Sequence, residues 1–175
     1  MNSIAQKALI APLTKSSQTG RTDFIKHTSF HLLTPILGKD TSFFSNNKAV
    51  LSEIFSSCLD FLQLDKSKSQ QKISCLKLME KTLEIVKIDA SSKDLDDSTS
   101  SFWSVIECSS VDSVLNKVDE SNKSQGVTSR IKIIQSEITA GLLLFSALKE
   151  MPKEENKPIS SAKKSAKKKK KKSRK

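Results

Sequence analysis

Asp23, His27 and His31 recur at i, i+4 and i+8, a spacing that lines three metal-capable side chains along one face of a helix. A fixed zinc site draws its ligands from more than one element, and no cysteine or further histidine stands in the neighbouring sequence. The stripe therefore reads as a polar exposed face that binds no metal. Neither histidine sits in a serine or cysteine motif, and the nucleophile-elbow, zincin, P-loop and dinucleotide-binding patterns are all absent. The expectation is a protein that is not an enzyme and takes no cofactor. Cys58, Cys75 and Cys108 lie seventeen and thirty-three residues apart, form no CxxC pair and fall inside apolar helical patterns. An odd, scattered set of this kind predicts reduced thiols in the nucleus or cytosol.

The chemistry that the composition does carry is Coulombic. Of the thirty Lys and Arg, ten occupy the last thirteen residues: Lys163, Lys164, Lys167, Lys168, Lys169, Lys170, Lys171, Lys172, Arg174 and Lys175. The other twenty face nineteen Asp and Glu, so residues 1–162 carry about +1 and the tail holds nearly all of the +11. Such an arm attracts phosphate backbones, importin or anionic headgroups through charge and counterion release, without groups that read a base sequence. Lysine outnumbers arginine twenty-seven to three, which favours delocalised backbone attraction over bidentate base contacts. The run contains the K-K-x-K pattern of an import signal, so the predicted residence is the nucleus, and the nucleolus within it. The predicted partners are importin, rRNA or another nucleic acid bound by the tail, and a protein bound by the helical body. Ser165 and Ser173 stand among the lysines, where phosphate groups would cancel charge, and are the candidate regulatory sites.

The elements that carry these residues are helical throughout. Residues 1–22 read as a short helix ended by Pro12 and a polar segment, or, because they hold three cations and no acid, as a transit peptide. A helix capped by Thr22 or Asp23 runs to about Leu33, where Pro35 and Gly38 interrupt it. After Asn47, Val50, Leu51, Ile54, Phe55, Cys58, Leu59 and Leu62 share one face, and beyond a turn at Asp65 to Ser69 so do Ile73, Leu76, Met79, Leu83 and Val86. So short a turn predicts an antiparallel pair. The acidic, serine-rich stretch 89–101 reads as a flexible connection within the domain of residues 23–151. Phe102, Val105 and Ile106, then Val111, Val114, Leu115 and Val118, restore the helical period across a weak point at Ser109 and Ser110. Trp103 reads as a core side chain, with a partner hot spot as its alternative.

Val127, Ile131, Ile134, Ile138, Gly141, Phe145 and Leu148 alternate four and three residues apart, a seam for packing on another helix. Gly141 costs about 1 kcal/mol against alanine there, so a close approach at that point is expected. Leu142, Leu143 and Leu144 widen the apolar surface beyond one stripe, which suits a central helix or a second face that meets another protein. The uncharged run from Ile138 to Leu148 is far short of the roughly 20 residues that cross a bilayer, so no integral membrane span is expected. Pro152 opens the tail of residues 152–175. The fold class is all-α: five or six helices in antiparallel pairs, as a compact bundle or a short α-solenoid of HEAT or armadillo type. In that layout of helical pairs followed by a lysine-rich terminus, the chain resembles helical-repeat nucleolar proteins such as Myb-binding protein 1A. The resemblance spans most of the chain and implies a scaffold in ribosome production; it carries no motif and so transfers no site residue.

Overall fold

The computed structural model describes residues 12, 13, 15, 23–39, 41–64, 67–91 and 95–150. Seven helices make up most of these: α1 Asp23–Lys39, α2 Thr41–Ser45, α3 Lys48–Leu62, α4 Ser69–Ile85, α5 Asp97–Cys108, α6 Val111–Ser121 and α7 Gln125–Glu150. No strand occurs among the described residues. Upstream of α1, Pro12 and Leu13 are helical, so the proline does not end a helix there.

The helices form a compact bundle around α4, which packs on α1 and α2, on α3 and on α7, while α5 and α6 close the bundle against α3 and α7. The pairing of α3 with α4 follows from their short turn. Cys58 near the end of α3 meets Cys75 near the start of α4, its thiol donating to the Cys58 carbonyl at 3.4 Å, as antiparallel neighbours require. Aromatic contacts tie the layers: Phe30 of α1 meets Phe61 of α3 edge-on at 5.2 Å, and Phe55 of α3 meets Phe102 of α5 at 5.8 Å. Each such pair adds about 1 kcal/mol to the area that it buries.

Pro35 does not interrupt the first helix, which continues to Lys39. A mid-helix proline costs about 3 kcal/mol. Leu33 before it and Leu37 after it are both fully buried, and Ile36 packs against the core. Each buried Leu or Ile returns about 1.5–3 kcal/mol, so burial of the helix end outweighs the break.

The acidic connection is also shorter than the composition indicates. Helix α5 begins at Asp97, inside the stretch read as flexible, because Asp96 caps it: its carboxylate accepts from the Thr99 amide at 2.8 Å and the Thr99 hydroxyl at 2.6 Å. Lys48, at the start of α3, reaches across to Asp96 at 2.6 Å and to the Thr99 hydroxyl, fastening two helix N-termini together. Partial burial raises the Asp96 carboxyl, but the hydrogen bonds from Lys48, Ser98 and Thr99 outweigh it and hold the group well below its usual range. A depressed folded-state value stabilises the fold above the unfolded value of 3.8 and is lost as pH falls below it. Asp96→Ala should therefore cost about 0.5–2 kcal/mol at neutral pH by removing the cap. Thermal melts of Asp96→Asn, which retains a capping oxygen, should show a shallower loss of stability than wild type as pH drops below about 4.

The weak point at Ser109 and Ser110 is a true break. Ser109 is extended, and both its amide and its hydroxyl turn back to the Ile106 carbonyl, at 3.1 and 2.7 Å. On either side of the break Ile106, Val111, Val114, Leu115 and Val118 are all buried.

Candidate functional site

His27 lies on the side of α1 that faces α4. It is half-buried, and its Nε2 stands 3.2 Å from the Ser74 hydroxyl, so the stripe is not the wholly exposed polar face that its sequence implied. His31 is exposed and its ring stacks beside His27 with 6.4 Å between centroids. The side chain of Asp23 lies outside the described residues. Ser74 Oγ also sits 3.2 Å from the Gln70 carbonyl, and when the hydroxyl proton goes to that carbonyl Nε2 donates to Ser74. The Ser–His contact ties α1 to α4. Among the described residues, no group of three or more His, Cys, Asp or Glu converges as metal ligands would.

Burial, and secondarily the neighbouring His31, lower the pKa of His27 below its ordinary 6.5. The unfolded chain then binds the proton more readily, so the stabilisation present above about 6.5 is lost as pH falls through the folded-state value. Wild type should thus lose thermal stability between pH 7.5 and 5.5, and His27→Gln should lose less over the same interval.

The seam of α7 assembles as its spacing predicts. Val127, Ile131, Ile134, Ile138, Gly141 and Phe145 are buried, and Leu148 is half-buried against the core. These residues pack on α4, α5 and α6. Two polar ties set the register: Arg130 Nη1 meets Glu80 of α4 at 2.5 Å, and Gln135 donates to Asn116 of α6 at 2.9 Å. The close approach at Gly141 is made by a side chain. Trp103 lies flat on the glycine, its indole held by donation from Nε1 to the Val86 carbonyl at 3.0 Å. Trp103 is thereby core, 2 % exposed. Beside it a cavity of about 30 Å³ opens between α4, Trp103 and α7, lined by Leu83, Ile88, Ala140, Gly141 and Leu144 with Lys87 and Glu137 at its rim. That volume admits a water or the tip of one aliphatic side chain, not a cofactor.

No family model, curated protein or solved structure matches this chain. The tail cations, Lys163 to Lys175, and Ser165 and Ser173 lie outside the described residues, as does most of the segment 1–22. Cys58 and Cys75 are buried free thiols, whereas Cys108 is exposed, off the apolar face on which its helical pattern seemed to put it.

One feature of the surface escaped the sequence. The clamp of Lys48 on Asp96 and Thr99 was hidden in the serine-rich stretch, although an Asp before an apolar helical run is a favoured N-cap. The outward side of α7 exposes Ile133 and Leu143, the latter within the run Leu142 to Leu144 that widens the apolar surface beyond one stripe. By length and apolarity alone, α7 is long enough to cross a bilayer, with 26 residues and a mean hydropathy of 1.4 over its best window. In the bundle the seam of that helix is spent on protein contacts.

Proposed function

We propose that this chain is a non-enzymatic nuclear adaptor that resides in the nucleolus and serves ribosome production. Its helical body docks on a protein partner while the lysine arm holds the assembly on rRNA phosphates and supplies the importin signal. The observation that carries this reading is the division of charge: ten cations in residues 163–175 against about +1 over the preceding 162. A body so nearly neutral has little attraction of its own for polyanions, so the arm governs that encounter and leaves the body free for a different contact.

The test is a comparison of two fluorescent fusions, the full chain and a copy cut after Ile159. Nucleolar accumulation that disappears on truncation supports the reading. Retention in chromatin by both would favour an adaptor on DNA instead. A mitochondrial signal from both would mean that residues 1–22 direct the protein and that the nuclear reading is wrong.

A further inference from the structure

The turn that makes α3 and α4 antiparallel also brings two of the three cysteines together. Cys58 and Cys75 are both 0 % exposed and both free, seventeen residues apart in the chain. The Cys75 thiol stands 3.4 Å from the Cys58 carbonyl, and the two thiol side chains hydrogen-bond to each other. Thiols in contact on facing helices are the starting arrangement for a disulfide, since short side-chain movements then bring sulfur to sulfur. Among the described residues no third His, Cys, Asp or Glu converges on the pair, so it is not part of a zinc site.

We propose that Cys58 and Cys75 form a latent dithiol, reduced at rest, which a small oxidised disulfide such as glutathione disulfide closes into an internal bridge between α3 and α4. One cysteine thiolate attacks the glutathione disulfide; its S–S bond breaks, and one glutathione leaves and takes up the proton that the cysteine released. The second thiolate attacks the cysteine sulfur of the mixed disulfide and expels the other glutathione, which is protonated in the same way. The protein thus loses two electrons and two protons, and the two glutathione thiols carry them away. Cys58 lies between Phe55, which meets Phe102 of α5, and Phe61, which meets Phe30 of α1. A bridge at that point fastens the layer joining α1, α3 and α5 to the hub helix.

Access, not separation, limits the reaction. Burial, and after it the hydrogen bond with Cys58, push the Cys75 thiol well above its ordinary range, and an oxidant cannot reach a side chain with no exposed surface. The bridge therefore forms through transient local opening of α3 from α4, and its rate follows how often the bundle opens. Cys108 is exposed on α5 and, with the other two cysteines enclosed, stops at the mixed disulfide. A reducing compartment keeps the pair open under ordinary conditions, so the closed form marks oxidative stress. The device does not depend on what the lysine arm binds.

The test uses the full chain and its Cys108→Ser variant, changed only at an exposed position. Each is incubated folded in glutathione buffers of rising oxidised fraction, quenched in acid, alkylated and mapped by mass spectrometry without reduction. Cys108→Ser should lose two hydrogens, yield one peptide that joins Cys58 to Cys75, and remain a monomer. Its melting temperature should rise by about 5 °C or more, because the bridge constrains the unfolded chain. Bridging should run at least about a hundredfold slower than modification of Cys108 in wild type, and urea below the unfolding transition should hasten it. Thiols that stay reduced in the most oxidising buffer with that urea present would overturn the proposal. So would mixed disulfides that persist on both core cysteines, or a bridge that forms only once denaturant has unfolded the chain. A bridge that lowers the melting temperature also overturns it, since such a bridge strains the bundle and does not lock it. The mapping replaces neither core cysteine, so no outcome depends on a variant that fails to fold.

Discussion

Removing residues 160–175 will lower the affinity of this protein for single-stranded RNA by at least about a hundredfold at 0.1 M salt. The truncation takes away ten cations and leaves a chain of about +1. Each lysine–phosphate contact on a single strand contributes about −0.7 to the slope of log affinity against log salt. With all ten engaged the full chain should show a slope near −7, and the truncated chain a slope near zero. Because the arm holds no aromatic residue, it has nothing to stack on bases, and poly(U) and poly(A) should bind alike. Aspartate at both Ser165 and Ser173 should give an intermediate affinity and a flatter slope, since each carboxylate offsets one neighbouring cation. Filter binding or anisotropy across a salt series measures all three. RNA affinity retained in full by the truncated chain would move the nucleic-acid contact to the helical body and refute the division of labour proposed above.

The second large effect concerns stability. Gly141→Ala should destabilise the bundle by about 2 kcal/mol, a drop of roughly 6–10 °C in melting temperature for a body of this size. A Cβ at that position would stand 2.5 Å from Cζ2 and Cζ3 of Trp103 and closer still to Cη2. The indole is restrained from moving away: Nε1 is held by the Val86 carbonyl, and Phe102 packs edge-on against the ring at 5.7 Å. Alanine gains about 1 kcal/mol of helix propensity, so a net loss demonstrates that the clash prevails. Trp103→Phe removes the colliding ring atoms and costs stability by itself. In the Gly141→Ala background it should cost less, because the methyl group then fills space that the indole vacated. A double-mutant cycle by thermal circular dichroism reads this coupling directly. Additive losses would mean that the two residues do not meet.

Much of the bundle was legible because helix faces are a local property. The periods that run through Leu51, Ile54 and Cys58, through Leu76, Met79 and Leu83, and along the α7 seam each correspond to a buried face. So does the weakness at Ser109 and Ser110, whose poor helix propensity acts within a few residues. Gly141 announced a close approach, since a glycine in the middle of an apolar seam needs a compensating contact. What approaches it is Trp103, thirty-eight residues earlier, and no local signal could have named that partner.

The misreadings share one cause. Pro35 is a strong local stop, and the serine-rich stretch before Phe102 is a strong local loop signal, yet Pro35 and the end of that stretch, from Asp97 on, are helical. Leu37 and Phe44 draw the chain beyond Pro35 into the core, and Lys48, remote in sequence, meets Asp96 and Thr99 to start α5 where composition called for flexibility. The candidate site divides in the same way. The charge of residues 163–175 follows from composition, because ten cations attract phosphate whatever the chain does elsewhere. Whether an apolar residue of α7 is core or surface does not follow: Ile131 and Ile133 are alike in type, but one is buried and the other half exposed. Residue types and periodicity were enough for the helical class, the seam and the electrostatic arm, all of which depend on neighbours within a turn or on summed charge. The hub position of α4, the cap of α5 and the open face of α7 depend on contacts between segments dozens of residues apart, and only packing in three dimensions decides which surfaces those contacts consume.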